Sequence, residues 1–209
     1  MQISTQYRTG GDILLSADVG QTLFWEGDAC SHVFEVRSGV IRGVSISVEG
    51  ERQVTAFFFA GDQIGIPVTE TYRYSAETVT PVSYVRHAQG RWCEAMINSF
   101  RRDGRFMPSI RTEQDPVYCR GMLIGRNGVV SRIAAFLTLI IDRLEPRGAG
   151  FYFPLPQIDI AAYLAVTPET VCRSLKQLRK LEIIDMPSHD RLIIANRSRL
   201  EHAAHGFPV

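Results

Sequence analysis

Pro168 stands directly after a three-residue break between two runs of helical apolar periodicity, so the two runs cannot be one helix. The stretch from Pro154 to Arg191 reads PLPQIDIAAYLAVTPETVCRSLKQLRKLEIIDMPSHDR. Gln157 to Leu164 forms the first run, Ala165-Val166-Thr167 the break, and Pro168 to Leu181 the second run. A break this short leaves room only for a tight turn. Thr167 is suited to cap the free N–H groups of the second helix, and proline loses nothing at the first helical position.

Projected at about 100° per residue, the second helix has a packing face and an outward face. Val171, Leu175 and Leu178 share the packing stripe; Glu169, Cys172, Arg173, Lys176 and Lys180 share the opposite sector. Four cations and no acid lie between Val171 and Lys180, in a chain whose net charge is only +1. Such a run alone is most often a solvated helix face. Here a short helix, a tight turn, a capped basic helix and a predicted hairpin follow one another in order, with strands at Ile183 to Met186 and Arg191 to Ile194 around Pro187-Ser188-His189-Asp190. That order is a winged helix-turn-helix, whose second helix enters the major groove of double-stranded DNA.

The segment DIAAYLAVTPETVCRSLKQL resembles the recognition motif of the CRP/FNR superfamily, in particular its FNR/FixK branch. The resemblance implies that Glu169 and Arg173 read bases, the Arg donating to guanine and the Glu accepting from a cytosine amino group. It places Thr167, Pro168, Thr170, Cys172, Lys176 and Lys180 at the same interface. Pro168 at the third reading position favours a TTGA half-site over TGTGA. Two departures stand out. Ala165 replaces the usual turn glycine, so a left-handed backbone there would be mildly strained. Cys172 replaces a common serine; as a bland reading it is a small neutral substitute, and as a sharper one it is a redox candidate beside Arg173 and Lys176.

Short β-like runs fill the region from Gly11 to Arg86: TLFWEGD, HVFEVRSG, IRGVSISVEG, ERQVTAFFFAGD and AETVTPVSYVRH, with glycines at the run ends. Their spacing suggests an antiparallel barrel or jelly roll. The pattern resembles the cyclic-nucleotide-binding-like sensor domain of the same superfamily. The positions matching the nucleotide clamp are Gly65-Ile66-Pro67 and Tyr72-Arg73-Tyr74-Ser75-Ala76. The clamp Glu is missing and Tyr74 holds the place of the Arg, so cyclic-nucleotide binding is not expected. An iron–sulfur cluster needs four thiolates, and the N-terminal tail has no Cys. No cofactor is therefore expected, with haem left open. A cupin-like metal enzyme would also be a jelly roll, but His32 and His87 are isolated and no metal site or catalytic motif is visible.

Gln89 to Phe100 reads as a short helix, and Arg101 to Asp115 as a cation-rich segment containing Gly104 and Pro108. The resemblance implies one long dimerisation helix after the barrel. A proline inside it would cost about 3 kcal/mol, so Asp115-Pro116 marks its start or a kink. The expected helix runs from Pro116 to about Leu144 and closely resembles the branch around RIAAFL. Met122, Val129, Ile133, Leu137 and Ile140 recur at helical spacing and are expected at the seam with a second copy of the chain. Gly121 and Gly125 would permit close approach of that copy.

The expected class is α+β: a sensor-like β domain over residues 1–115, a dimerisation helix over 116–145, and a winged helix-turn-helix over 146–209. Residues 145–150 are a linker in this reading, and the tail after Leu200 carries no clear signal. Charge follows the same division. Residues 1–100 hold 7 Lys/Arg against 11 Asp/Glu, net −4, so the first domain alone has no electrostatic attraction for DNA. No signal peptide or apolar run of membrane length occurs, and four scattered cysteines argue for reduced thiols, so a cytoplasmic protein is expected. The implied function is a homodimeric transcription regulator on a palindromic operator, with RNA polymerase as a further partner if it activates. A ligand- or haem-responsive member of the superfamily is the alternative.

Overall fold

In the N-terminal half, alternation of side chains along short strands gives each strand one face to bury, and two such sheets cover each other. The computed structural model of the protein describes residues 4–9, 12–103 and 114–207. Nine strands come first: β1 Ser4–Thr9, β2 Asp12–Ala17, β3 Thr22–Phe24, β4 His32–Ser38, β5 Ile41–Ile46, β6 Arg52–Phe58, β7 Gln63–Ile64, β8 Ser75–Thr78 and β9 Val82–Ala88. They form one sheet ordered β1-β2-β9-β4-β7 and another ordered β3-β8-β5-β6, with antiparallel pairing throughout. This is the expected jelly roll, with β1, β2 and β7 added to the strands legible in the sequence.

The space between the sheets is filled largely by aromatic rings. Phe24 stacks on Tyr72 at 4.0 Å between centroids, Phe58 on Tyr74 at 5.6 Å, and Phe34 lies 5.8 Å from Tyr84. Gly65, at φ +73°, is the one residue type that fits its position: a Cβ there would press on the Tyr72 ring and the His32 carbonyl. Helix α1, Gln89–Asp103, closes this unit. Gly104 and Pro108, the breakers expected in the cation-rich segment, lie outside the described residues.

The long helix expected from Pro116 to Leu144 is instead two helices, α2 Gln114–Ile124 and α3 Val129–Ile140, followed by a 3-10 turn at Ile141–Arg143. The cause is local. Gly125 and Gly128 flank Arg126-Asn127, and Gly128 takes φ +83°, which ends helical progression. The chain divides into two units at Val117/Tyr118, with α2 spanning the boundary and α3 inside the second unit. The boundary expected near 116 lies close to this division, and α3 belongs to the second unit, so the expected boundary near 146 does not divide the chain.

The second unit continues with β10 Pro146–Arg147, β11 Gly150–Tyr152, α4 Gln157–Leu164, α5 Pro168–Lys180, β12 Ile184–Ser188, β13 Arg191–Ile194 and α6 Arg197–Ala204. Residues expected to be a linker are a hairpin, which extends the wing into a sheet ordered β10-β11-β13-β12. Gly150 permits this because any Cβ would strike the Leu192 carbonyl across the strand pair. Asn196 caps α6 by accepting from the Arg199 N–H at 2.9 Å, and Leu200, Ala203 and Ala204 are buried. The first part of the tail that carries no clear signal, residues 201–204, thus completes a packed helix. Its end is held by Ser131, whose hydroxyl donates to the Ala204 carbonyl at 3.0 Å, and by Arg126 on the same oxygen.

Three residues expected at a seam between chains, Ile133, Leu137 and Ile140, are at most 3% exposed within the single chain. Helix α3 packs against α5 and α6, so these side chains form the core of the C-terminal domain and are not free to meet a partner. Met122 is 58% exposed and Val129 half-buried.

Candidate nucleic-acid interface

The turn between α4 and α5 is built almost wholly from local chemistry. Ala165 adopts φ 53°, ψ 50°, the left-handed conformation that glycine would take without cost. The Val166 N–H donates back to the Ala161 carbonyl at 3.0 Å, closing the end of α4. Thr167 is extended and its Oγ1 accepts from the Thr170 N–H at 3.3 Å, with Pro168 at the first helical position. These contacts fix where α5 begins and how its first turn points.

One contact from outside the motif supports the turn. Arg120 on α2 donates from Nε to the Tyr163 carbonyl at 2.9 Å, and its guanidinium lies over the Tyr163 ring. Burial pushes the Tyr163 phenol well above its ordinary range. Sequence reasoning missed Arg120 because its partner is 43 residues away and no local signal announces the pair.

Helix α5 divides as its sequence dictates. Val171, Ser174, Leu175 and Leu178 are buried, while Thr167, Pro168, Glu169, Arg173, Lys176 and Lys180 are exposed and Thr170 and Cys172 half-buried. All eight residues singled out from the sequence therefore lie outside the packed stripe. Among the described residues, Arg173, Lys176 and Lys180 make no close ion pair, whereas Arg179 reaches Asp185 at 3.5 Å. Arg179 is thus tied to the wing, and the other three cations remain available to an anion.

The Glu169 carboxyl is held below its ordinary range, first by hydrogen bonding to its own backbone N–H, then by the Thr167 side chain and the Arg173 charge. It is consequently an acceptor at neutral pH. At the wing tip, Ser188 donates to Asp190 at 2.6 Å and Arg147 reaches the same carboxylate at 3.2 Å, which keeps the turn closed and holds Asp190 ionised. An exposed Arg and carboxylate one turn apart at a helix N-terminus, backed by free lysines, can read base edges and contact phosphates together.

Comparison with known proteins agrees with this geometry. Residues 131–203 match the Crp-like helix-turn-helix domain, and residues 15–96 match the cyclic nucleotide-binding domain. The chain is 30% identical over 191 residues to the nitrogen fixation regulation protein FixK of Bradyrhizobium diazoefficiens, covering 88% of this chain and 79% of that protein.

The chain belongs to the CRP/FNR family of transcription regulators.

Within that family it is also 27% identical over 183 residues to the fumarate and nitrate reduction regulatory protein of Yersinia pestis, covering 80% of this chain and 69% of that protein. The fold matches FixK2 of Bradyrhizobium japonicum with a TM-score of 0.79 at 24% identity, over 91% of this chain and 96% of that one. The FixK-like resemblance read from the recognition helix therefore extends through both domains. A CRP/FNR regulator is a DNA-binding protein and not an enzyme. Among the described residues no helix is long and apolar enough to cross a membrane.

Proposed function

We propose that the protein acts as a homodimer on a palindromic operator of TTGA-type half-sites and needs no small-molecule effector or cofactor to bind it. The observation that carries this reading is the pairing of exposed Glu169 and Arg173 on the first turns of α5, with Pro168 beside them at the third reading position. A two-fold dimer would set two such helices about 34 Å apart in successive major grooves. With Ile133, Leu137 and Ile140 committed inside the chain, the exposed Met122 on α2, next to Gly121, is the better candidate for contact with the second copy.

The jelly-roll interior supports effector-free binding. Tyr74, at the position matching the phosphate-clamping Arg, is 8% exposed, stacks on Phe58 and accepts from the Gly65 N–H at 3.4 Å. Arg73 points outward. At the clamp position a buried phenol packed on Phe58 therefore stands where a phosphate would need a guanidinium.

Cys172 is where we place redox sensitivity. Oxidation of its thiol by peroxide, itself reduced to water, would give a sulfenic acid and then acids whose charge opposes DNA phosphate.

The test is a titration of the reduced protein with a TTGA-N6-TCAA duplex and a scrambled duplex, without added ligand, before and after peroxide. Selective binding to the first duplex is expected, lost on oxidation of the wild type and retained by Cys172→Ser. Equal binding of both duplexes under reducing conditions would sink the operator assignment, and peroxide-insensitive wild type would sink the role of Cys172.

A further inference from the structure

The jelly roll has a cleft of about 790 Å³ between β3 and the face formed by β2, β9 and β4, beside the clamp position but lined by neither Tyr74 nor Gly65. Its walls follow from strand register. Phe34 lies opposite Arg86, and Val36 and Leu15 flank Tyr84, so Tyr84 and Arg86, two apart on β9, share the inward face with Phe34. Along that row Val82 and Tyr84 are buried and Arg86 is exposed. The interior of the sandwich therefore opens to solvent at a guanidinium.

Among the described residues, Arg86 has no partner to match its charge. Among the described residues it makes no ion pair or side-chain hydrogen bond, although Arg37, Arg42 and Arg52 in the same unit all reach carboxylates. Around it the walls are preformed. Phe24 stacks on Tyr72 at 4.0 Å and 22°, Phe34 meets Tyr84 at 5.8 Å, and the Tyr72 hydroxyl donates to the His32 carbonyl at 2.8 Å. Trp25, 59% exposed, stands at the rim. Burial, and secondarily the Arg86 charge, hold the His32 pKa below its ordinary value, which leaves Arg86 as the cation of the cleft at neutral pH.

We propose that this cleft binds a small planar aromatic carboxylate, with its carboxylate on Arg86 and its ring against Phe34 and Tyr84. A guanidinium matches a carboxylate with two parallel hydrogen bonds, and flat aromatic walls favour a flat apolar body. Inorganic phosphate fits less well, since one guanidinium cannot satisfy it and the walls add nothing. Asp28 on the rim disfavours dianions and suits a ligand that also carries a donor group. Anthranilate, with one ring, one carboxylate and one amino group, has these features and serves as the probe.

The experiment titrates the full-length protein with anthranilate, anthranilamide and inorganic phosphate, following tryptophan fluorescence and heat. Saturable binding of anthranilate is expected, at least tenfold weaker for anthranilamide and for Arg86→Gln, and intermediate for Arg86→Lys. Arg86 is exposed, so both variants should melt with the wild type and bind the operator as it does when no ligand is present. That second readout separates failure of this proposal from failure of the DNA-binding reading. Absence of saturable anthranilate binding, equal binding by Arg86→Gln or of anthranilamide, or equal affinity for phosphate would overturn it.

Discussion

Helices α3 and α5 are neighbours of nearly equal length, 12 and 13 residues, with opposite surfaces. Helix α5 buries four residues and leaves the rest exposed or half-buried; α3 buries Ser131, Ile133, Ala134, Ala135, Phe136, Leu137 and Ile140. An amphipathic helix states in its own sequence which side is free. A helix apolar on several sides states only that it will be covered, and leaves open by what. In this chain the cover is α5 and α6 of the same domain.

The largest expected effect tests that cover. Leu137→Ala removes a side chain 1% exposed and should cost about 2–5 kcal/mol of C-terminal domain stability. Chemical denaturation of the variant would show an earlier midpoint at every protein concentration, and operator binding would fall with the folded fraction. Unchanged stability accompanied by a shift from dimer to monomer would restore Leu137 to an interchain seam.

On α5 the same experiment should come out reversed. Arg173→Ala leaves the packed stripe intact, so melting is expected to stay with the wild type while operator affinity falls by about 1–3 kcal/mol. Preference for cognate over scrambled DNA should shrink by the same factor. A variant that kept its discrimination and lost affinity for both duplexes equally would turn Arg173 into a phosphate contact.

The contrast also explains what could be read from the chain beforehand. The helix-turn-helix was legible because its determinants are local: Thr167 caps Thr170, Pro168 starts α5, and the cations fall in one sector. The jelly roll was legible from alternation and turn glycines. The missed features depend on partners distant in sequence. Arg120 on Tyr163, Ser131 on Ala204, and Gly150 against Leu192 all bridge dozens of residues. The break between α2 and α3 is different: Gly125 and Gly128 are local breakers, and the continuous helix that the resemblance implies does not survive them. The cap of α6 is local as well, Asn196 accepting from the Arg199 N–H three residues on.

A smaller effect lies at the hinge between the two helices of the motif. Ala165 is left-handed at φ 53°, where an L residue with a Cβ is strained by about 1 kcal/mol, and it is exposed. Ala165→Gly removes the Cβ, though glycine also gains freedom in the unfolded chain, so a net gain of about 0.5 kcal/mol is expected. A rise in melting temperature with unchanged operator affinity is the anticipated result. A fall would mean that the alanine methyl contributes more to α4 packing than its exposure suggests.

The smallest expected effect is an absence of change, and it separates the two helices by the forces they use. Glu169 on α5 has its folded carboxyl held below the unfolded value, so whatever its ionised form contributes is fully present above the unfolded pKa and lost only as pH falls through the folded one. Discrimination between cognate and scrambled DNA should therefore be flat from about pH 7.5 down to about pH 5.5, above the ordinary carboxylate range. Added salt over the same interval should weaken binding to both duplexes through the lysines of α5, and leave the melting governed by the α3 core nearly unmoved. Loss of discrimination by pH 5.5, absent in Glu169→Gln, would show a carboxyl that protonates early and so is not held by Thr167 and Arg173 as the geometry requires.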